Sequence, residues 1–353
     1  MNFRKISFMI FISLIILSSS LHSQEPYRVG TTTANFLEIG IGSDGIAMGD
    51  AYASIPGGLS SIYWNPAGLA FMEKNHALFM QQPWLVGINL NAAAASYVNP
   101  YIGTLSIGFY NMDYGKMDVT TLDMQEGTGE KFSANDYSFS ISYSRKLAQW
   151  FAFGATGKYI MSQIWHEKAT AMAVDLGVLV NTNFFSFSGK EEDALKIGMS
   201  ISNYGTKMKY SGMDLVYPID IAPDENGNYE DTPGEYKLSE WELPLIFRFG
   251  MSFNPISTRY HRLTLAADAL HPNNNSEYVN MGSQYRLQIP GTGSFFLRSG
   301  YKGIFMTESE YGLTYGGGIA LNLLGNYIIK VDYAFRDLGI LGSTNTYTIE
   351  LQF

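Results

Sequence analysis

Hydrophobic and polar residues alternate one by one along much of this 353-residue chain. In Tyr137–Ser144 every apolar residue is followed by a serine, and Tyr327–Arg336 largely repeats the alternation with charged and small residues. A β-strand points successive side chains to opposite faces, so this period of two predicts strands with one apolar and one polar face. The spacing of an amphipathic helix is absent from these segments.

The same alternation marks about fourteen segments of the chain. Most of them have ten or more residues, which is long enough for a tilted strand to cross a bilayer. Bacterial single-chain outer-membrane barrels have an even number of strands. We therefore predict an all-β fold, a transmembrane antiparallel β-barrel of about fourteen strands. The predicted strands are 75–82, 87–98, 102–114, 134–145, 150–164, 169–182, 194–203, 242–253, 260–270, 277–289, 294–302, 311–323, 326–335 and 345–353.

The links between these strands alternate between short and long. Outer-membrane barrels have short periplasmic turns at one end and longer loops at the other. If the first strand runs outward, the short links fall at one end and the long links at the other, an asymmetry that a soluble β-sandwich does not predict. The links 83–86 and 185–193 fit poorly. The short links are 99–101, 146–149, 254–259, 290–293 and 324–325, and the long ones are 115–133, 204–241, 303–310 and 336–344.

The last predicted strand has the features of a strand that closes a barrel. Tyr347, Ile349 and Leu351 alternate with polar residues, and the sequence ends on the aromatic Phe353. An open strand edge in lipid would leave N–H and C=O groups unpaired, so the last strand must pair with the first. We expect the β-barrel assembly machinery to recognise this strand. On its own, the stretch also fits the last strand of a soluble sheet.

The amino terminus and the composition predict export. Arg4 and Lys5 precede the apolar run Ile6–Ile16, so we expect residues 1–23 to be a signal peptide. Aromatic residues make up 14% of the chain and charged residues 16%, and cysteine is absent, which suits a barrel with apolar residues spread over many strands. The net charge of -9 argues against nucleic-acid binding. The predicted location is the outer membrane of a Gram-negative type of envelope, in contact with its lipid.

Residues 24–74 form a separate segment ahead of the predicted barrel, residues 75–353. The segment is rich in glycine and apolar residues, and its pattern suggests short helices at Ile46–Ser54 and Ser60–Trp64. Side chains fill a barrel of eight strands, whereas sixteen strands leave a channel. A barrel of about fourteen strands therefore needs a plug, and we expect this segment to be a hatch inside the barrel.

This segment contains three distinctive motifs, Phe36–Gly42, Ala47–Tyr52 and Tyr63–Ala70. Together they resemble the amino-terminal signature of the PorV/PorQ family, which belongs to the wider group of FadL-like outer-membrane barrels. The resemblance implies a barrel with an inserted hatch. Its motif residues in this sequence are Gly40, Gly42, Met48, Gly49, Trp64, Asn65, Pro66, Ala67 and Gly68.

The Asn-Pro-Ala element also has a direct physical interpretation. Asn65-Pro66 favours a turn, and Gly68 can adopt a positive φ. These properties would anchor the hatch where the chain enters the barrel wall. A turn without any role in ligand binding is the simpler interpretation.

The resemblance implies two classes of function. In the first, the protein accompanies type IX secretion and binds exported proteins at the cell surface, with the loops Gly115–Ser133 and Tyr204–Trp241 as the docking surface. In the second, it is a FadL-like transporter that admits hydrophobic small molecules through a lateral opening. Pro83 and Pro244 are candidates for such a gap because proline cannot donate to a strand ladder; strand ends are the alternative.

Six charged side chains fall on the polar faces of predicted strands and are expected to point into the barrel. They would pair with the hatch acids Glu38, Asp44 and Asp50 and so fix the hatch in place; a role in permeation is the alternative. The six lumen charges are Arg286, Arg298, Lys302, Lys330, Asp332 and Arg336.

Other candidate sites have little support. The oxygen-rich residues of the longest loop resemble a calcium loop, although Tyr229 occupies the place that requires glycine; a solvated acidic loop is the alternative. The Gly-x-Gly-x-x-Gly spacing of Gly40, Gly42 and Gly45 lacks the strand and helix of a nucleotide site. We expect no enzyme activity and no cofactor. The calcium candidates are Asp224, Asn226, Asn228, Glu230 and Glu235.

Overall fold

A computed structural model of the chain describes residues 28–186, 193–225, 227, 231–323 and 326–353. The predicted leader, residues 1–23, lies outside the described residues. Within the described ranges, no helix combines the length and the apolar character needed to cross a bilayer.

Fourteen antiparallel strands form one closed barrel, and two further strands form a separate hairpin. The barrel strands are β1 (His76–Pro83), β2 (Asn89–Asn99), β3 (Gly103–Asp118), β4 (Lys131–Ala148), β5 (Phe151–Ile164), β6 (Glu167–Asn181), β7 (Lys196–Gly205), β10 (Ile246–Ser257), β11 (His261–Pro272), β12 (Tyr278–Ile289), β13 (Gly293–Ile304), β14 (Leu313–Asn322), β15 (Ile328–Asp337) and β16 (Ser343–Gln352); the hairpin is β8 (Val216–Ile219) with β9 (Thr232–Glu235). The predicted fold class and all fourteen predicted strands are confirmed.

Some strand ends differ from the prediction. β10 begins at Ile246 instead of residue 242, because Pro244 has no N–H to donate to the ladder. Pro83 is the last residue of β1, so both prolines lie at strand ends. β3 and β4 continue past their predicted ends to Asp118 and back to Lys131, with a register shift after Asp113. The hairpin β8–β9 inside the longest loop was not predicted.

β16 closes the cylinder. It pairs with β15 on one side and with β1 on the other, in a register that places His76 opposite Gln352. Beyond the strand, the Phe353 N–H donates to the Asn75 carbonyl oxygen at 2.9 Å. Every strand of the barrel therefore has a partner on both edges.

The alternation seen in the sequence separates the two faces of the wall. On β15, Val331 is 50% exposed on the outer face, whereas the neighbouring Asp332 is 2% exposed and faces the lumen. The outer face of β16 likewise carries Tyr347 and Ile349, and its inner face carries Glu350. An apolar outer face and a polar interior are the arrangement of a barrel in lipid.

The links divide between the two ends of the barrel. The end at which β1 begins and β16 ends, called here the turn end, has short links such as 100–102 and 290–292. The outer end has the longer links, and the longest of them is 206–245, which contains the hairpin. The predicted link 185–193 lies partly outside the described residues.

The amino-terminal segment, residues 31–74, contains short helices only. They are the 3-10 helix Asn35–Glu38, α1 (Ser43–Ala47), α2 (Ser61–Trp64) and the 3-10 helix Pro66–Phe71; three further 3-10 helices, Leu85–Gly87, Met213–Leu215 and Gly339–Leu341, lie in links. α1 begins and ends earlier than the predicted Ile46–Ser54. It stops because Gly49 and Asp50 both have a φ of 66°, in the left-handed region that breaks a helix.

Candidate functional site

The family-like motifs of the segment contact one another. Gly40 and Gly45 both lie against the indole ring of Trp64, and a side chain on either glycine would overlap that ring. The Trp64 Nε1–H donates to the Ile41 carbonyl oxygen at 2.9 Å. The Gly-x-Gly-x-x-Gly spacing therefore provides room for a tryptophan.

The Asn65-Pro66 turn lies against the barrel wall. The Asn65 amide donates to the Ala53 carbonyl at 2.7 Å and to the Val178 carbonyl of β6 at 3.0 Å. Its side-chain oxygen accepts from the Ala67 N–H at 3.1 Å, which caps the following 3-10 helix. The turn thus joins two parts of the segment to a wall strand.

Gly68 differs from the sequence-based interpretation. It lies inside the 3-10 helix Pro66–Phe71, and its φ is not positive. A Cβ at this position would lie 2.7 Å from the Ser61 Oγ, so close packing against α2 explains the glycine.

The segment packs closely against the wall at three pairs of glycines, each pair on adjacent strands. Asn65-Pro66 lies on Gly154 and Gly177, Ala53 on Gly198 and Gly250, and Met48-Gly49 on Gly282 and Gly300. The members of each pair face each other directly across the ladder. A glycine in a strand allows another backbone to approach closely. A side chain at any of the six would overlap segment or wall atoms.

Wall side chains also bind the segment backbone. The Asp268 carboxylate of β11 accepts from the Tyr52 N–H at 2.9 Å and from the Ala53 N–H at 2.8 Å. On the opposite side, the Ser43 N–H donates to the Thr348 hydroxyl of β16 at 2.9 Å. Asp268 was not predicted, because an inward aspartate on a strand does not indicate which backbone groups it will meet.

Two segment acids lie in ion pairs with lumen cations. Asp50 contacts Lys302 at 2.7 Å and also pairs with Arg336. Asp44 contacts Lys330 at 3.2 Å. All five side chains are buried or nearly so. These pairs connect the segment to β13 and β15.

The other wall charges extend this network. Asp332 lies 2.6 Å from Arg298 and 2.9 Å from Lys330. Lys330 also lies 3.5 Å from Glu350, which pairs with His76 across the junction of β1 and β16. Five of the six predicted lumen charges therefore lie in two clusters with the segment acids: Arg298, Lys330 and Asp332 with Asp44, and Lys302 and Arg336 with Asp50.

Arg286, the sixth predicted lumen charge, lies on β12 near the turn end. It lines a polar cavity of about 360 Å³, together with Arg262, which faces it across the ladder between β11 and β12. Arg298 and Lys330 line the same cavity, so Arg286 faces the same space as two of the other predicted lumen charges.

The two acids Asp44 and Glu38 have opposite pKa shifts. Burial raises the pKa of Asp44, but the charges of Lys330 and Arg298 and hydrogen bonds from Tyr52 and Lys330 outweigh it and lower the pKa to about 2. At Glu38, burial dominates and raises the pKa above its usual value. Asp44 is therefore a permanent anion under physiological conditions.

The outer links expose large apolar side chains. Single exposed apolar residues are normal on a protein surface, and here such residues recur on several of the outer links. Val86 and Phe305 are presented by backbones with positive φ, which is rare for a β-branched residue such as Val86. Five links carry one such residue each, at least 81% exposed: Val86, Leu122, Met213, Phe305 and Ile340.

The wall between β1 and β6 carries an apolar groove of about 850 Å³ on its outer face. Behind it lies a cavity of about 30 Å³ that also touches the segment residues Leu37, Ile41, Ile62 and Tyr63. Six residues, four of them small, line both spaces. The residues that line both are Ala93, Ala94, Gly108, Phe109, Ser140 and Lys158.

The calcium prediction remains a prediction. Asn226, Asn228 and Glu230 lie outside the described residues, and Glu235 is the last residue of β9. Among the residues that the structure does describe, no three acidic or histidine side chains are grouped as a metal site would require.

The fold is similar to solved outer-membrane channels. The CymD monoaromatic hydrocarbon channel has a TM-score of 0.55 at 11% identity, with 89% of this chain and 96% of that chain covered. The Ralstonia pickettii toluene transporter TbuX has a TM-score of 0.52 at 11% identity, covering 89% and 97%. A Pseudomonas aeruginosa FadL homologue has a TM-score of 0.50 at 10% identity, covering 88% and 97%. At such identities the likeness shows the fold alone.

Sequence comparison is more specific. No curated protein is similar enough to match the chain. The family model described as type IX secretion system protein PorV matches residues 22–222, more than half of the chain, including the whole amino-terminal segment and β1 to β7. The chain therefore belongs to the PorV family of outer-membrane β-barrels.

Proposed function

We propose that this barrel works with the type IX secretion complex and that its outer links bind exported proteins on their way to attachment at the cell surface. Family membership supports the association with secretion. The observation that carries the binding role is the set of exposed apolar side chains on the outer links. In water such residues favour burial against a partner.

The amino-terminal segment is a hatch in this proposal, and the domain boundaries are 24–74 and 75–353. Three close contacts with glycine pairs and two sets of buried ion pairs support a segment that stays in place. A barrel with a fixed hatch holds its partner at the outer end and does not conduct it through the lumen.

Biogenesis follows the usual route in this proposal. Residues 1–23 are removed as a signal peptide during export. The assembly machinery then recognises β16 with Phe353, which pairs with both of its neighbours in the closed barrel.

The binding role is tested by changing the exposed apolar residues of three links together, in Leu122→Ser, Met213→Ser and Phe305→Ser. Crosslinking in the native membrane, followed by mass spectrometry, should show exported proteins on the wild type and several-fold fewer on this variant. Surface attachment of those proteins should fall in parallel. Folding is checked by the heat-dependent shift in gel mobility.

The matched control changes three exposed residues at the turn end, Tyr101→Ser, Leu147→Ser and Phe184→Ser, and should keep the crosslinks. Equal crosslinking by the two folded variants would contradict binding through the outer links.

The second candidate is a FadL-like transporter of hydrophobic small molecules. It is favoured by the apolar groove on β1 to β6 and the thin wall behind it. Ala93→Phe would fill this groove, and Ala267→Phe on the outer face of β11 is the control. Transport predicts that only the first variant slows the entry of a fluorescent fatty acid into proteoliposomes. Equal entry with wild type, both variants and empty liposomes would exclude this function.

A further inference from the structure

The negative charge of the protein is concentrated on its outer end. The seven outer links, 84–88, 119–130, 165–166, 206–245, 273–277, 305–312 and 338–342, contain fifteen acidic and three basic residues, a formal charge of -12. The whole chain, with 32 acidic and 23 basic residues, has a net charge of -9. The rest of the protein is therefore slightly positive.

This charge lies on the surface. Fourteen of the fifteen acidic residues are among those that the structure describes, and all fourteen are exposed. Lys207 lies 3.3 Å from Glu242, so one of the three cations sits beside one acid. Exposed pairs of this kind interact weakly. The links as a whole present a negative field to the outside.

The acidic residues adjoin the exposed apolar residues in sequence. Asp123 follows Leu122, Asp214 follows Met213, and Trp241 lies between Glu240 and Glu242. In the hairpin region, Asp220 separates the exposed Ile219 and Ile221. The links over β15, β16, β1 and β2, residues 338–342 and 84–88, contain no charged residue. The acidic residues therefore lie only on links between β3 and β14, and the two-residue link 165–166 among these has none.

We propose that this mosaic of acidic and apolar residues is the docking surface for a folded protein domain whose own contact surface is basic around an apolar centre. This inference rests on the proposed function and specifies the partner's chemistry. Complementary charge brings a partner to the surface faster and rejects like-charged proteins, while the apolar residues hold it after contact. The same negative field repels the phosphate groups of outer-leaflet lipid, which favours a protein partner.

The test measures the association of detergent-purified barrel with the exported protein recovered most abundantly in the crosslinking experiment. The rate constant for association should fall by about tenfold or more as NaCl rises from about 50 mM to about 500 mM, since salt screens exposed charges. In the variant that carries Asp123→Asn, Glu126→Gln, Asp220→Asn and Glu240→Gln together, the association rate constant at low salt should already be several-fold lower than that of the wild type. The dissociation rate should change less.

The control removes the opposite charge. Lys209→Gln with Lys237→Gln makes the links more negative and should leave association as fast as in the wild type or make it faster. If the association rate constant depends neither on salt nor on the four acidic residues, the proposal of a basic partner is wrong, although the binding of exported proteins stands. Binding to lipopolysaccharide vesicles that needs Mg²⁺, with no salt-sensitive protein binding, would overturn it in favour of lipid. If the exported protein does not bind at all, the proposed function fails as well.

Discussion

The lumen and the outer links are both rich in charge, but they arrange it in opposite ways. Inside the barrel, Asp50 lies within reach of Lys302 and Arg336, and Asp332 lies between Arg298 and Lys330. On the outer links, acidic residues outnumber basic ones fifteen to three. A charge removed from water needs a partner nearby, whereas an exposed one does not.

The apolar residues differ in the same way. Trp64 is enclosed by the glycines of its own segment, while Leu122 and Met213 are almost fully exposed. The interior is thus complementary to a segment of the same chain, whereas the outer links leave large apolar side chains exposed within the part of the chain that the structure describes. A change inside should therefore affect stability, and a change outside should affect binding.

The largest effect is expected from Gly300→Val. The Met48-Gly49 backbone occupies the space into which a side chain would extend, so the segment and β13 cannot both keep their positions. We expect loss of the folded, heat-shifted band on gels or a loss of several kcal/mol in urea unfolding in lipid vesicles. Gly157→Val on β5 is the control, because nothing lies near that position. Equal stability of the two variants would show that the segment does not rest on the glycine pairs.

A smaller loss is expected from Asp50→Asn. The change leaves Lys302 and Arg336 buried without their anion, which typically costs about 3–5 kcal/mol. Asp118→Asn removes one partner of an exposed pair with Lys131 and should change the unfolding free energy by at most about 1 kcal/mol. Similar losses of unfolding free energy in both variants would show that the ion pairs in the lumen stabilise the fold no more than the exposed pair does.

Asn65→Ala should cost less again. It leaves the Ala53 and Val178 carbonyls and the Ala67 N–H without a side-chain partner, and a buried unsatisfied group costs about 1–3 kcal/mol. Asn89, which is only partly buried and donates to the Gly87 carbonyl, provides the control in Asn89→Ala. Urea unfolding compares the two. If Asn65→Ala left the free energy of unfolding unchanged, the Asn65 side chain would not be needed for the turn.

The smallest expected effect is a pH dependence at Asp44. Its pKa is about 2 in the folded protein, against an ordinary value of 3.8. Because the folded pKa is lowered, the stabilisation is complete above about pH 4 and disappears as pH falls toward 2. Wild type should therefore be more stable than Asp44→Asn at pH 6, and this advantage should shrink by pH 2.5. A difference that does not change over this range would rule out the charge of Asp44 as its source.

The sequence predicted the wall because alternation is a local property. Each strand reveals its two faces within about ten residues, and that was sufficient for the number of strands and for the inward positions of Lys330 and Arg336. Strand ends were harder to predict. β10 begins after Pro244 because proline has no N–H to donate, and the extension of β3 and β4 depends on how these two strands pair.

The interior contacts could not be predicted in the same way. Gly282 and Gly300 are eighteen positions apart, and only the strand register shows that they face each other. The destination of Asp268 likewise depends on where the segment backbone lies. The pairing of Lys158 with Asp175 at 2.6 Å was also missed, because it joins a diagonal pair on β5 and β6, in which Asp175 lies two positions beyond the residue opposite Lys158. Non-local geometry decides each of these contacts.

The three glycine pairs also set the spacing of the chain that rests on them. Met48, Ala53 and Asn65 each contact a different glycine pair in the wall. The five residue steps from Met48 to Ala53 and the twelve from Ala53 to Asn65 must therefore span fixed distances. Inserting or deleting one residue between any two of these anchors would put the next one out of place, even if the composition stayed the same. In this stretch, length is constrained as strictly as residue identity, in contrast to the outer links, where extra residues can bulge freely into water.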